Sequence, residues 1–386
     1  MQFKKATLSI VTLLAILSMQ QASAAVSITD LGALQGATFS QGWGINNSGQ
    51  VTGYSITASG IYAFLYSNGT MQSLGTLPTR LGSYGRAIND SSQVAGFAQG
   101  PYPIQAFLYS GGSMQNIGTL PNGWAAGATG INNSGQVTGW SQPYIPRFGV
   151  NHEHAFIYQN GSMTDLGSLG TGTANASAGN GINNKGDVTG WTGGGTGGVN
   201  TAVHAFIYSN GVMQDINNLA GANASYGLAI NNSDQVTGWY NSPSTGQRAF
   251  LYSGGQMVGL GTLKEGQFAG QYSMGNAINS AGQVVGWSDV FIGNSNNQVQ
   301  HAFIYSNGTM TDLNSLLSPN SGWDLTSAQG INDHGQITGY GTFNGQTQAF
   351  VMSGLGSVSA IPEPDEWALM LGGLGFLGFA ARQRKA

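Results

Sequence analysis

The hydrophobic and polar positions of the chain repeat with a unit of 43 to 53 residues. The clearest copy is I-N-N-S-G-Q-V-T-G-W, from Ile131 to Trp140, in which apolar residues flank a polar turn that contains glycine. We number the repeats 1 to 7 by their Ile-Asn pairs. A period in this range indicates a repeat architecture with one continuous core rather than separate domains. The seven pairs begin at Ile45, Ile88, Ile131, Ile182, Ile230, Ile278 and Ile331.

Each repeat is predicted to contain four short strands, a to d. Strand a ends at the Ile-Asn pair, strand b is Q-V-T-G-W or a variant, strand c is A-F-(L/I)-Y, and strand d carries a methionine. Turns such as Ser67-Asn68-Gly69 favour hairpins because Asn-Gly and Gly-Gly tolerate positive φ. The pattern predicts an all-β, seven-bladed β-propeller of four-stranded antiparallel blades over residues 25–355. The alternative, a right-handed β-helix, would show coils of about 20 residues.

The last repeat has no strand d of its own. Residues Ile331 to Met352 supply strands a, b and c, whereas Ile28–Leu34 near the start matches the strand-d segment Met163–Leu169. We therefore predict that Ile28–Leu34 is the outer strand of the last blade and closes the propeller. Closure of this kind removes exposed strand edges.

Composition and charge narrow the choice of partners. The chain has 63 glycines, no cysteine and only 7% charged residues. Between Ala25 and Ala360, six basic residues stand against twelve acidic ones. Nucleic-acid binding depends on clustered Lys and Arg that neutralise phosphates, so nucleic acid is not a predicted partner. The absence of cysteine neither supports nor opposes export.

The two ends of the chain have the composition of targeting segments. Residues 1–24 combine Lys4 and Lys5, an apolar run and the small residues Ala22-Ser23-Ala24, which predicts a signal peptide cleaved between Ala24 and Ala25. An N-terminal membrane anchor is the alternative, but the apolar run is short for one.

Residues 356–386 contain a linker, Pro362-Glu363-Pro364, an apolar run from Trp367 to Ala381, and a basic end. As a short hydrophobic helix, 15 residues rise only about 22 Å, less than the roughly 30 Å of hydrocarbon. This segment suits a transient membrane anchor.

These motifs resemble two known families. The repeats, with histidine before Ala-Phe at His154, His204 and His301, resemble the HAF-family extracellular repeats of bacteria from Val26 to Met352. The tail resembles a PEP-CTERM sorting signal, with Pro362, Glu363 and Pro364 as its motif, although Asp365, Glu366 and Gln383 depart from the usual pattern. The resemblance implies export by a Gram-negative bacterium that makes exopolysaccharide. It also implies the secretion machinery and an exosortase as partners, transient inner-membrane anchoring, and a cell-surface or extracellular mature protein.

No metal site, cofactor or catalytic motif is predicted. The three strand-c histidines occupy equivalent positions on different blades, too far apart to share an ion, so polar caps at strand ends are the favoured interpretation. His152-Glu153-His154 alternates between faces of an extended segment, and most a–b turns lack the carboxylates of a calcium loop.

The variable b–c and d–a loops lie on one face of the predicted propeller, and any ligand is expected there. Aromatic rings can stack on sugar faces, and amides can bond to sugar hydroxyls. The alternative is that these side chains only pack between blades. The predicted ligand-binding residues are Trp43, Arg86, Tyr144, Arg147 and Tyr226.

The sequence therefore predicts an exported, non-catalytic surface or extracellular-matrix protein that binds exopolysaccharide. Two alternatives remain open. One is a propeller polysaccharide hydrolase or lyase, which would need two acids from different blades in one pocket. The other is a purely structural spacer.

Overall fold

The computed structural model describes residues 26–101, 103–143, 153–169, 176–193, 203–264, 271–291 and 298–355. Within these ranges the protein is almost entirely β-structure, with one short 3-10 helix at Leu313–Leu316. Among the described residues, no helix combines the length and the hydrophobicity of a membrane-spanning segment. The predicted signal cleavage at Ala24 and Ala25 and the sorting motif Pro362, Glu363 and Pro364 lie outside the described residues.

The repeats fold into strands in the predicted order, a to d. Strands a are β2 (Phe39–Ile45), β6 (Gly82–Ile88), β10 (Gly123–Ile131), β14 (Ala176–Ile182), β18 (Ala224–Ile230), β22 (Ser273–Ile278) and β26 (Trp323–Ile331). Strands b are β3 (Val51–Thr57), β7 (Val94–Gln99), β11 (Val137–Pro143), β15 (Val188–Gly193), β19 (Val236–Ser242), β23 (Val284–Phe291) and β27 (Ile337–Phe343). Strands c are β4 (Gly60–Ser67), β8 (Gln105–Ser110), β12 (His154–Gln159), β16 (Val203–Ser209), β20 (Gly246–Ser253), β24 (Gln298–Ser306) and β28 (Gln346–Ser353). Strands d are β5 (Thr70–Gly75), β9 (Ser113–Asn116), β13 (Ser162–Asp165), β17 (Val212–Asp215), β21 (Gln256–Gly261) and β25 (Thr309–Asp312).

The strands pair antiparallel within each repeat. Five sheets have four strands each, and the sixth joins repeats 1 and 2 through a single parallel pair between Ile61 and Gly82. The all-β class and the four-stranded antiparallel sheets are thus confirmed. The antiparallel pairing contradicts the β-helix alternative.

A strand from the N-terminus completes the sheet of repeat 7. Strand β1 (Ser27–Asp30) pairs antiparallel with β28, with Ser27 opposite Ser353 and Asp30 opposite Phe350. It is shorter than the predicted Ile28–Leu34 because the chain turns at Gly32, whose φ of +67° lies in the left-handed region.

The hydrophobic core lies between neighbouring sheets. One cluster joins Leu74 and Leu77 of repeat 1 with Val94 of repeat 2, and another joins Leu31 with Val51 of repeat 1 and residues of repeat 7. Burying one such large side chain contributes about 1.5–3 kcal/mol. The seven strand-c phenylalanines have no exposed surface: Phe64, Phe107, Phe156, Phe206, Phe250, Phe303 and Phe350.

Neighbouring repeats also meet through a matched pair, with one residue on strand b and the other on strand a of the next repeat. In five pairs the strand-b residue is threonine, and its Oγ1 donates to a strand-c phenylalanine carbonyl at 2.8–2.9 Å. A Cβ placed on the partner glycine would lie 2.2–2.5 Å from that oxygen, so only glycine leaves room for the hydroxyl. These pairs are Thr338–Gly42, Thr52–Gly85, Thr138–Gly179, Thr189–Gly227 and Thr237–Gly275.

The two remaining pairs lack both the hydroxyl and the glycine. Repeat 2 has Ala95 where the others have threonine, and its partner in repeat 3 is Ala128. Repeat 6 has Val285, and its partner in repeat 7 is Ala328. The members of each pair belong to the same buried cluster. Alanine therefore stands at the glycine position only where the partner is not threonine.

We predict energetic coupling between Gly42 and Thr338, which stand 296 positions apart in the sequence. The Gly42→Ala change should lower the free energy of unfolding by about 1–3 kcal/mol, because its Cβ would lie 2.5 Å from the Thr338 Oγ1. Thr338→Ala removes that oxygen, so the double variant should lose about 1 kcal/mol less than the sum of the single losses. Urea unfolding midpoints of the four proteins provide the measurement. Strictly additive losses would contradict the matched-pair interpretation.

Candidate functional site

Each strand a contains a β-bulge at the same position of its repeat. The register against strand b shifts by one residue there, for example between Gly42 and Gly44 in repeat 1. A bulge leaves one residue out of the ladder and redirects its side chain. We call these seven side chains the bulge residues: Trp43, Arg86, Thr129, Asn180, Leu228, Asn276 and Gln329.

The glycine of the V-T-G-W motif makes room for the bulge. A Cβ on Gly53 would lie 1.8 Å from the carbonyl oxygen of Gln41, and one on Gly139 would lie 2.0 Å from that of Gly127. No side chain fits at that distance, so the invariant glycine of strand b and the bulge of strand a require each other.

The bulge residues together line a cavity of ≈ 130 Å³, the bulge cavity. Every repeat contributes one side chain to it, and none of the seven is acidic. Farther along the strands a, a second cavity of ≈ 200 Å³ reaches the isoleucines, and a third of ≈ 210 Å³ lies among the Ile-Asn pairs. The three cavities follow the strands a from the bulges to the a–b turns.

Arg86 carries the only charge in the lining of the bulge cavity. Its guanidinium carbon lies 3.9 Å from the ring centre of Trp43, in a cation–π contact. Burial lowers the pKa of Arg86 to about 10, and Tyr54 opposes that shift. The side chain is therefore still protonated at neutral pH. No carboxylate among the described residues forms an ion pair with it.

The amide side chains of the cavity are anchored through their nitrogens. The Nδ2 of Asn180 donates to the carbonyl of Gly227 at 2.8 Å, and that of Asn276 donates to the carbonyl of Ala328 at 2.9 Å. The Nε2 of Gln329 donates to the Oγ of Ser327 at 2.8 Å. These bonds leave the amide oxygens as the available acceptors.

Every repeat has an aromatic side chain on strand b, opposite the residue two positions before the bulge of strand a. The residue nine positions after each Ile, on strand b, is aromatic and partly exposed. Exposed aromatic faces provide stacking surfaces for the apolar faces of sugars. The seven residues are Tyr54, Phe97, Trp140, Trp191, Trp239, Trp287 and Tyr340.

Repeats 1 and 2 add further rings to this set. The ring centres of Trp43 and Tyr54 lie 5.3 Å apart in an edge-to-face contact. The ring of Tyr84 lies 4.9 Å from that of Tyr54 and stacks on that of Phe97, also with 4.9 Å between the centres. Burial, with Tyr84 and Tyr340 nearby, raises the pKa of Tyr54 to about 12, so its hydroxyl stays protonated and can donate.

The structure brings together only part of the predicted ligand-binding set. Trp43 and Arg86 line the same cavity and contact each other. Tyr226, two positions before the bulge residue Leu228, is not in the cavity lining. Its ring stacks on that of Trp239, with the ring centres 4.2 Å apart. Tyr144 and Arg147 lie outside the described residues. The aromatic position nine residues after each isoleucine was missed, although aligning the repeats reveals it.

The a–b turns at the other end of the strands hold a cyclic hydrogen-bond network. In each Ile-Asn pair the asparagine is 2–5% exposed, and its Nδ2 donates to the backbone carbonyl of the next repeat's asparagine at 2.9–3.2 Å. The bond from repeat 7 returns to repeat 1. We call these residues the amide ring: Asn46, Asn89, Asn132, Asn183, Asn231, Asn279 and Asn332.

Each ring asparagine also folds its own turn. The Oδ1 of Asn132 accepts from the N–H groups of Ser134 at 3.1 Å and Gln136 at 2.9 Å. Asparagine therefore leads a tight turn between strands a and b. The contact between repeats through the same side chain was not predicted.

Three strand-c histidines pair with strand-d aspartates of their own repeat. The Nδ1 atoms of His154, His204 and His301 lie 2.8, 2.6 and 2.7 Å from Asp165, Asp215 and Asp312. The hydrogen bond to Asp312 raises the pKa of His301. No cluster of three or more metal-ligating side chains occurs among the described residues.

The chain was compared with protein families, curated proteins and solved structures, and the solved structures agree with this fold. A family model described as "Protein of unknown function (DUF3466)" matches residues 261–361. No curated protein matches the chain. The chain is similar to the β-propeller domain of the trilobed protease from Pyrococcus furiosus, which has an open velcro topology. The TM-score is 0.51 at 8% identity, covering 85% of this chain and 99% of that one.

A puromycin-hydrolyzing peptidase of Mycobacterium tuberculosis matches with a TM-score of 0.50 and 10% identity, covering 87% of this chain and 55% of that one. At identities this low, the structural similarity shows a propeller-like fold alone.

We predict that Asn132→Asp destabilises the protein by about 3 kcal/mol or more. The change replaces a buried donor with a carboxylate oxygen that faces the carbonyl of Asn183 and the Oε1 of Gln136. Asn160→Asp is the matched control, since Asn160 is exposed and has a φ of 51°, which aspartate tolerates. Thermal melting of both variants provides the measurement. Equal melting temperatures would show that the amide ring does not stabilise the fold.

Proposed function

We propose that the protein is an exported, non-catalytic, seven-bladed β-propeller that serves at the cell surface or in the extracellular matrix and binds exopolysaccharide at the bulge cavity. The observation that carries the proposal is the bulge cavity itself, where seven side chains of six residue types meet beside a set of partly exposed aromatic rings.

Two contacts support the closed, seven-bladed arrangement. Strand β1 pairs with β28, so the N-terminus supplies the missing strand of repeat 7. The Nδ2 of Asn332 donates to the carbonyl of Asn46 at 2.9 Å, which joins repeat 7 to repeat 1. In the proposed closed propeller, all seven bulge residues surround one axis.

The chemistry of the bulge cavity supports a carbohydrate ligand. Sugars present apolar faces to aromatic rings and hydroxyls to amides. Trp43 supplies a ring in the lining, Tyr54 and Tyr84 contact that ring from outside the lining, and Asn180 and Asn276 supply amide oxygens. The a–b turns at the other end have nearly the same sequence in every repeat, so they offer less to distinguish one ligand from another.

The targeting segments support export and sorting. We propose that residues 1–24 are removed as a signal peptide and that an exosortase recognises Pro362, Glu363 and Pro364 within residues 356–386. The apolar run from Trp367 to Ala381 then acts as a transient inner-membrane anchor until processing.

The alternative function is a polysaccharide hydrolase or lyase. Burial raises the pKa of the Glu153 and Asp289 carboxyls, on repeats 3 and 6, and raised pKa values are typical of general acids, although neither carboxyl lines the bulge cavity. If the protein cleaves a polysaccharide and either Glu153→Gln or Asp289→Asn abolishes the cleavage, the protein is an enzyme rather than a binding protein. A spacer without specialised surfaces would show neither binding nor turnover.

We predict that Trp43→Ala weakens binding of an exopolysaccharide fragment roughly 3- to 10-fold, because it removes an aromatic ring from the cavity lining. Tyr226→Ala should weaken binding less, because Tyr226 stacks on Trp239 outside that lining. Tyr144→Ala and Arg147→Ala belong to the same series. Calorimetric titration of residues 25–360 provides the measurement. Ser134→Ala, on an exposed a–b turn, is the control and should bind as the parent does. Binding that survives the first series but fails with the control would place the site at the a–b turns instead.

We predict that replacing Pro362, Glu363 and Pro364 by alanine leaves an unprocessed, membrane-retained precursor in a host with an exosortase. The mass and the membrane fraction of the protein provide the measurement. A variant with alanine at Ser357 and Ser359 tests whether any change in the linker has the same effect. If the triple variant is released at the parental mass, the exosortase has no role in its sorting.

A further inference from the structure

We infer that the bulge cavity selects an acidic sugar, holding the carboxylate of a uronic acid against Arg86. This inference rests on the proposed carbohydrate binding and names the class of glycan. Its basis is the charge, the size and the surroundings of the cavity.

The charge of the cavity is unbalanced. Arg86 is the only ionised group among the seven lining residues, and no carboxylate of the described chain pairs with it. Arg86 is partly buried, and a cation that loses hydration without a carboxylate partner has a higher free energy, which a bound anion offsets. A neutral sugar offers no such compensation, whereas a carboxylate can accept two parallel N–H bonds from the guanidinium.

The size of the cavity suits a substituent rather than a whole sugar ring. A volume of ≈ 130 Å³ corresponds to about four water molecules at roughly 30 Å³ each. A carboxylate fits such a space, and the pyranose ring that bears it can lie at the edge of the cavity. There the ring can stack on the group formed by Trp43, Tyr54 and Tyr84.

Contacts around Arg86 fix its position for this task. Its guanidinium lies over the Trp43 ring at 3.9 Å, and the indole Nε1 of Trp43 donates to the Oε1 of Gln41 at 3.3 Å. The hydroxyl of Tyr54 donates to the same Oε1 at 3.0 Å. The stacked arginine leaves the edge of its guanidinium, which carries the N–H donors, available to an anion.

The test compares three probes by calorimetric titration of residues 25–360. The first is an oligogalacturonate, and the second is the same oligosaccharide after reduction of its carboxyl groups. The third has the same length and carries sulfate esters in place of carboxylates. The parent should bind the oligogalacturonate roughly tenfold more tightly than the reduced form. Arg86→Gln should remove that preference and change binding of the reduced form less than threefold. Arg80→Gln is the matched control, since Arg80 bonds to Gln105 and Pro101 outside the cavity, and it should retain the preference.

A second variant provides a test that does not depend on the folding of Arg86→Gln. Gln329→Glu keeps Arg86 and places a carboxylate in the cavity lining, where it can still bond to the hydroxyl of Ser327. It too should lose the preference for the acidic probe, with a melting temperature near that of the parent.

The possible results separate the two claims. Equal binding of the acidic and reduced probes by the parent would overturn the uronate inference and leave carbohydrate binding in place. Tighter binding of the sulfated probe than of the oligogalacturonate would also overturn it, in favour of a sulfate ester. Binding of none of the three would count against the proposed function itself.

Discussion

The fold depends on one buried interaction, the hydrogen bond from an asparagine Nδ2 to the carbonyl of the corresponding asparagine in the next repeat. Each carboxamide serves two purposes at once, because its oxygen forms the local turn while its nitrogen fixes the neighbouring repeat. Neither can change without the other, since a buried amide that loses a partner costs free energy. The turn and the spacing between repeats are therefore determined by the same side chain.

This constraint leaves the bulge position free to vary. Strand a is held at its end by the amide ring and at its middle by the bulge against the strand-b glycine. The side chain at the bulge lines the cavity and can differ between repeats, although Asn180 and Asn276 also bond to strand a of the next repeat. Seven repeats with nearly the same scaffold consequently present a tryptophan, an arginine, a threonine, a leucine and three amides to one cavity.

The sequence was sufficient for the features that are local. The strands and the turns with positive φ at residues such as Asn68 follow from repeat alignment. The shared position of Trp43 and Arg86 in their repeats placed both in one candidate site, but their contact was not predicted. Two kinds of feature could not be predicted. The amide ring joins residues about one repeat apart, and nothing in a single turn shows which neighbour its nitrogen reaches. Tyr226 stacks on Trp239 because the two face each other across the strands, a register that the sequence does not specify.

The matched pairs between neighbouring repeats bear on how such a chain can evolve. Genes that encode repeats grow by duplication and exchange of units, and each unit here carries half of two different junctions. A copy of repeat 3 brings Ala128, which fits the Ala95 of repeat 2 but would collide with a threonine elsewhere. The unit that can be inherited intact therefore runs from strand b of one repeat to strand a of the next. Recombination between strands a and b of a repeat keeps both residues of each matched pair together. Exchange of whole repeats separates them and breaks the interface.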